Sequence, residues 1–103
     1  MKIAVIDIGT NTFNLLIASM NNGNLVLEDL EKKFVFLGKG GINKNTIQKE
    51  AFDKGIKTLI LFSEKAKESG VDKIIAVATS AVRNSNNGNE FANEVLIKTG
   101  INI

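Results

Sequence analysis

The sequence contains no cysteine, histidine, proline, tryptophan or tyrosine. Without cysteine there is no disulfide framework, no thiol nucleophile and no thiolate metal site. Without histidine, imidazole zinc sites and every His-based catalytic triad are excluded. Long apolar runs are also missing. The longest, residues 3–8 and 15–20, fall far short of the roughly 18–20 residues that span a bilayer. Met1 and Lys2 precede apolar residues, but Asp7 interrupts the run and no small-residue cleavage site follows, so a signal peptide is not expected. Charge of one sign is scarce too. Thirteen Lys and Arg against eleven Asp and Glu leave a net charge of +2, with no contiguous basic stripe. The expectation is a cytoplasmic protein with neither nucleic acid nor membrane as a partner.

What is present is ordinary for a globular domain: 44% apolar and 23% charged residues in a chain of 103. That length holds one domain at most, and no repeat, linker or low-complexity segment divides it. Residues 2–8 read as a strand apolar on both faces, with Ile3, Val5 and Asp7 on one side and Ala4, Ile6 and Ile8 on the other. Such a strand is usually central in a sheet. After a turn at 9–11, residues 12–20 read as a second strand. Asn21-Asn22-Gly23-Asn24 is a strong hairpin signal. A third strand over 25–37 carries a charged middle, which predicts a bulge, a bend or an exposed edge. The chain thus opens as an antiparallel meander.

Residues 48–69 show helical spacing. Ala51, Gly55, Leu59, Phe62 and Ala66 form an apolar face widened by Phe52 and Ile56. Gly70 is placed to close that helix in a left-handed conformation, whereas Asn45, Thr46 and Gln48 all remain candidates to cap its start. Residues 74–78 read as a strand reached by a crossover and so paired in parallel. A polar segment follows over 79–87. A second helix spans 89–99, with Phe91, Val95 and Leu96 on one face, and Gly100 ends it. Residues 101–103 alternate as a strand begun and not finished. The phenylalanines are all assigned to the core. The order β-β-β-α-β-α is an α/β domain with one mixed sheet and its last strand cut short.

Three polar clusters interrupt this domain. The first is Asp7, Gly9, Thr10, Asn11 and Thr12, an acid at a strand end followed by a small-residue turn. The backbone N–H groups of such a turn cradle phosphate. The carboxylate holds a divalent cation directly or through water. The competing reading is a hairpin with a self-bonded Asx turn. The second cluster is Thr79, Ser80 and Arg83, beyond the carboxyl end of the parallel strand, where open sheets gather ligands. Arg83 is the only arginine among the thirteen basic residues. Only arginine offers a planar fork of donors that grips phosphate bidentately. The alternative is helix capping by Thr79 or Ser80, with Arg83 on a solvated face. The third cluster is Gly38-Lys39-Gly40-Gly41. It is either a mobile cationic lip carrying Lys39 or a plain connector, and its spacing is not that of a Walker A loop.

Together these clusters resemble the start of the Ppx/GppA family of exopolyphosphatases and guanosine pentaphosphate phosphohydrolases. The likeness runs in order through residues 4–18, 35–42 and 76–91. The Ala-Thr-Ser-Ala-Val-Arg stretch at 78–83 is its most specific part. Sugar kinases and heat-shock chaperones share the Asp-Gly opening without that stretch. The resemblance implies an actin-like ATPase (ribonuclease-H-like) fold. It implies Mg²⁺-dependent removal of terminal phosphate from inorganic polyphosphate, or of the 5′ γ-phosphate from pppGpp. It places Asp7 at the metal and attacking-water side as a catalytic and metal-binding residue. Gly9, Thr10, Asn11 and Thr12 become the first phosphate loop, and Thr79, Ser80 and Arg83 contact the phosphate chain.

Some positions depart from the family pattern. Thr10 and Thr12 replace serines, Asn14 stands where many members have histidine, and Lys39 stands where an acid is common. The family's catalytic glutamate and second phosphate loop have no counterpart in these residues. The expectation is therefore the N-terminal part of the first actin-like domain of a longer protein, inactive alone and a homodimer candidate at full length. The alternatives are a non-catalytic module binding polyphosphate or guanosine phosphates, and an ATPase or sugar-kinase relative of the same fold.

Overall fold

The computed structural model of the protein describes residues 1–38 and 45–103. Seven elements follow in order: strands β1 (Lys2–Ile8), β2 (Thr12–Asn21) and β3 (Asn24–Phe34), helix α1 (Lys49–Glu68), strand β4 (Lys73–Ala78), and helices α2 (Ser80–Arg83) and α3 (Gly88–Thr99). The four strands form one sheet in the order β3-β2-β1-β4. β1 pairs antiparallel with β2 and parallel with β4, which makes it the inner strand its two apolar faces require. The β2–β3 turn places Asn22 at φ 54° and Gly23 at φ 81°. Two consecutive positive φ values match the right-handed twist of the flanking strands, so the Asn-Gly pair closes the hairpin without strain.

The expected irregularity in the charged strand is a bulge. The register shifts between Ile17 and Ala18, which face Asp29 and Leu27, so Glu28 is the extra residue. Glu28 meets Lys2 at 3.0 Å. Glu31 faces Leu15 and is paired with Lys65 of α1 and, at 3.7 Å, with Lys33. Hydrogen bonding from Lys65 holds the Glu31 carboxyl below the usual range and raises Lys65 in turn.

α1 begins after Gln48 with no side-chain cap. Glu50 in its first turn and Lys65 and Lys67 in its last complement the helix dipole. Gly70 leaves it at φ 75°, as its position predicts. One face of the sheet carries the core. Ala4, Ile6, Ile8, Phe13, Leu15 and Ile17 lie at 0–1% exposure beneath Leu59, Phe62 and Ala66 of α1 and Phe91 and Val95 of α3. Gly55 admits the Phe91 ring, whose atoms lie 3.0 Å from where a Cβ would stand. Phe52 meets the same ring edge-on, with centroids 5.1 Å apart. The opposite sheet face leaves Leu27, Leu30, Ile75 and Val77 exposed. No helix among the described residues is long and apolar enough to cross a membrane.

Five expectations need correction. β3 ends at Phe34 and not at 37, because the next two N–H groups leave the ladder for the carbonyl of Asn11. The polar segment after β4 contains the single turn α2, closed by Val82 and Arg83 N–H groups on the Thr79 carbonyl. Leu96 is exposed, since Phe91 and Val95 already define the one buried stripe of α3 and Leu96 lies about 100° round from Val95. Residues 101–103 join no strand, although Ile101 is buried. Finally, Phe34 and Phe36 are surface residues.

Candidate phosphate site

The carboxyl ends of β1 and β4 lie side by side, since Ile8 pairs with Ala78 in the parallel ladder. Thr79 continues that contact. Its N–H donates to the Ile8 carbonyl at 3.0 Å and its hydroxyl donates to the same oxygen at 3.3 Å. The second bond is long, and the hydroxyl serves a ligand only by releasing it. The first and second clusters therefore meet at one end of the sheet. That is where ligands bind in open α/β sheets.

The turn from β1 to β2 has a specific shape. The Gly9 N–H donates to the Thr12 carbonyl at 3.0 Å, so this donor is already used. A Cβ on Gly9 would stand 2.8 Å from that carbonyl oxygen, which only glycine avoids. The N–H groups of Thr10 and Asn11 have no backbone acceptor among the described residues. Both residues are exposed. Their carbonyls are engaged on the other side. Asn11 accepts from Val35 at 2.9 Å and Phe36 at 3.0 Å, and Thr10 accepts from Gly38 at 3.4 Å. The third sequence cluster thus begins against the first, although Lys39 itself lies outside the described residues.

Asp7 alternates away from the core, on the sheet face opposite the helices, and is half-buried. It pairs in register with Asn14 of β2 and Val77 of β4. Among the described residues its carboxylate has no ion pair or hydrogen bond. Asn14 shares its face and is also half-buried. The two-residue alternation in β2 was the signal that places it there. Ser80 opens α2 and Arg83 ends it. Arg83 is exposed, and no carboxylate pairs with it among the described residues. Among the described residues, this end of the sheet thus carries an unpaired guanidinium, two backbone N–H groups without a backbone acceptor and, on the face away from the helices, an unpaired carboxylate.

The turn that follows is held by its own chemistry. A Cβ on Gly88 would lie 1.8 Å from the Val82 carbonyl oxygen, so glycine alone fits where α3 begins. Asn87 donates to the Ile47 carbonyl and accepts from the Ile47 N–H, each at 2.9 Å. This reciprocal pair seats the chain entering α1 on the start of α3. The polar run 84–87 is thus a docking strip for residues 45–47. An open cavity of about 400 Å³ nearby is lined by Asp53, Glu90 and Glu94 together with Lys49, whose ammonium already pairs with Asp53 at 3.2 Å. Its acidic wall does not suit an anion.

Comparison with known proteins gives a consistent picture. The Ppx/GppA phosphatase family model matches residues 16–103. Exopolyphosphatase 1 of Mycobacterium tuberculosis is 31% identical over the whole chain, which corresponds to 30% of that protein. The crystal structure of an exopolyphosphatase from Cytophaga hutchinsonii superimposes with a TM-score of 0.96 at 40% identity, covering 99% of this chain and 33% of that one. The Aquifex aeolicus member of the Ppx/GppA family gives a TM-score of 0.95 at 28% identity, with coverage of 99% and 33%. The chain spans about a third of the length of these relatives. Its mixed α/β fold is the actin-like ATPase fold of those proteins, and the chain belongs to the Ppx/GppA phosphatase family.

Proposed function

We propose that this chain forms the phosphate-gripping part of a cytoplasmic Mg²⁺-dependent phosphohydrolase. Its substrate is a chain of phosphates, either inorganic polyphosphate or the 5′ triphosphate of pppGpp. The observation that carries this reading is the meeting of the residue 9–12 turn, Thr79 and the turn ending at Arg83 beyond two adjacent strand ends. The names of the exopolyphosphatase relatives support it. The free N–H groups of Thr10 and Asn11 would receive one phosphoryl oxygen. The Arg83 fork would hold another, neutralising charge on the transferred group.

The donor set fits Mg²⁺. This ion takes one or two carboxylates and completes its shell with water and phosphate oxygens. Asp7 supplies one half-buried, unpaired carboxylate. No cluster of three or more metal-binding side chains is found among the described residues, so an all-protein cage is not the model. Asp7 would hold the ion, which when bound neutralises phosphate charge. Phosphoryl transfer also needs a positioned base. The site carries no second carboxylate among the described residues, so the 103 residues alone bind phosphate chains without turning them over.

The test is calorimetric titration of the chain with polyphosphate in Mg²⁺, followed by assay of released phosphate. Binding without release is expected. Arg83→Lys loses the bidentate fork and weakens binding about tenfold. Unchanged affinity in that variant removes Arg83 from the site, and phosphate release by the chain refutes its inactivity.

A further inference from the structure

Arg83 ends α2, a helix of only four residues. A lone helical turn fixes several dihedrals for few hydrogen bonds and does not hold itself in place. The N–H groups of Val82 and Arg83 close it on the Thr79 carbonyl, at 3.2 and 3.3 Å, at the long end of such bonds. Val82 is buried at 5% exposure and pins the turn to the core at one point. Rotation about that point swings Arg83. What fixes the rotation comes from elsewhere in the chain. The Asn45 side-chain amide donates to the carbonyl of Asn84, the residue directly after Arg83. The Asn86 N–H donates to the Asn45 carbonyl at 2.7 Å. Asn45 therefore clasps the exit of α2 with its side chain and its backbone together. It does so at φ 51°, a left-handed conformation that asparagine tolerates better than most residues. Its amide has no part in starting α1, which begins after Gln48 with no side-chain cap.

We infer that Asn45 is a positioning residue for Arg83: it fixes the exit of α2 so that the guanidinium is presented in one direction, and it raises phosphate affinity without touching the ligand. The inference rests on the phosphate role proposed for Arg83 and adds the device that orients it. A bidentate grip depends on the direction of the fork as well as on its charge. A guanidinium carried by a turn free to rotate must be ordered when the phosphate arrives, which weakens binding. A clasped turn has lost that freedom beforehand. Asn45 takes no part in bond breaking.

The test titrates inorganic tripolyphosphate calorimetrically into the whole chain with Mg²⁺ present. The unaltered chain is compared with Asn45→Gly, Arg83→Ala and the double variant, each checked for folding by circular dichroism. Glycine accepts φ 51° and keeps the backbone bond from Asn86, so Asn45→Gly removes the side-chain donor alone. It is expected to weaken binding about three- to tenfold, the contribution of one ordinary hydrogen bond. In the Arg83→Ala background the same change should alter affinity by less than about twofold, since no guanidinium is left to place. An equal fall in both backgrounds, or no fall from Asn45→Gly where Arg83→Ala does weaken binding, overturns the positioning role and leaves the phosphate reading intact. Affinity unchanged by Arg83→Ala overturns the phosphate role of Arg83, and the inference falls with it. A second measurement stands even where the glycine variant fails to fold. Coupling is reciprocal, so saturating tripolyphosphate should slow hydrogen exchange at the Asn86 backbone amide of the unaltered chain. An unchanged exchange rate at saturation overturns the clasp.

Discussion

Substituting Gly9 by alanine tests whether the phosphate turn has the shape described. A Cβ at this position would lie 2.8 Å from the Thr12 carbonyl oxygen. Because the obstacle is backbone, no rotamer change relieves it. The turn must open, which lengthens or breaks the 3.0 Å bond from the Gly9 N–H to that oxygen. Forcing an extra carbon into a closed space costs about 1–3 kcal/mol. The lost hydrogen bond adds about 1 kcal/mol. A destabilisation of about 2–4 kcal/mol corresponds to a fall in Tm of at least about 8 °C in a domain of this size. Gly38→Ala is the internal control. Its Cβ would meet only the Thr10 Cγ2 methyl, at 2.9 Å, and a side chain can turn away. Thermal unfolding followed by circular dichroism should separate the two variants by at least about 1 kcal/mol. Polyphosphate affinity should fall in Gly9→Ala, because the Thr10 and Asn11 donors move with the turn. Equal Tm values for the two variants, together with unchanged binding in Gly9→Ala, would refute the geometry.

Two further outcomes are expected. Asn87→Ala removes both half-buried bonds to Ile47 and leaves that residue's N–H and carbonyl without partners. Urea unfolding should show a loss of about 2–3 kcal/mol, and a loss under about 0.5 kcal/mol would mean that water replaces the amide. The second outcome concerns Glu31. Lys65 lowers its folded-state pKa below the ordinary 4.5, so the pair stabilises the fold above that pH and the stabilisation disappears as pH falls through the lowered value. Glu31→Gln should therefore cost about 0.5–1 kcal/mol at pH 7 and progressively less as the pH falls below 4.5 and through the lowered value, read from urea midpoints across an acid series. A cost independent of pH would show that packing, and not charge, accounts for it.

Much of the chain was legible because its signals are local. The Asn22-Gly23 hairpin needs two positive φ values, and its residue types announce them. Gly70 and Gly100 end their helices for the same conformational reason, at φ 75° and 78°. The two-residue alternation of β1 predicted both its central place and the opposite facing of Asp7 and Ile8. At the candidate site, the turn at 9–12 and the cluster at 79–83 were found as separate strings. Their meeting follows from parallel pairing of β1 and β4, which the crossover helix between them predicts.

Other features depend on groups far apart in sequence. β3 stops at Phe34 because Asn11, more than twenty residues earlier, offers its carbonyl to Val35 and Phe36. No periodicity within residues 25–37 contains that information. The same bonds turn Phe36 outward, so an aromatic that hydrophobicity assigns to the core lies on the surface beside the turn. Glu31 appeared as one charge in a charged stretch, until the approach of α1 supplied Lys65. The requirement for glycine at position 88 comes from the carbonyl of Val82, six residues earlier within α2. The order of strands β1 to β4 and of the two long helices, and the residue types able to hold phosphate, were readable from neighbours along the chain, since backbone conformation and side-chain period are local properties. Where β3 stops, which donors lack an acceptor, which aromatics stay exposed and which polar clusters lie together followed from folding, since each depends on a partner brought from elsewhere in the chain.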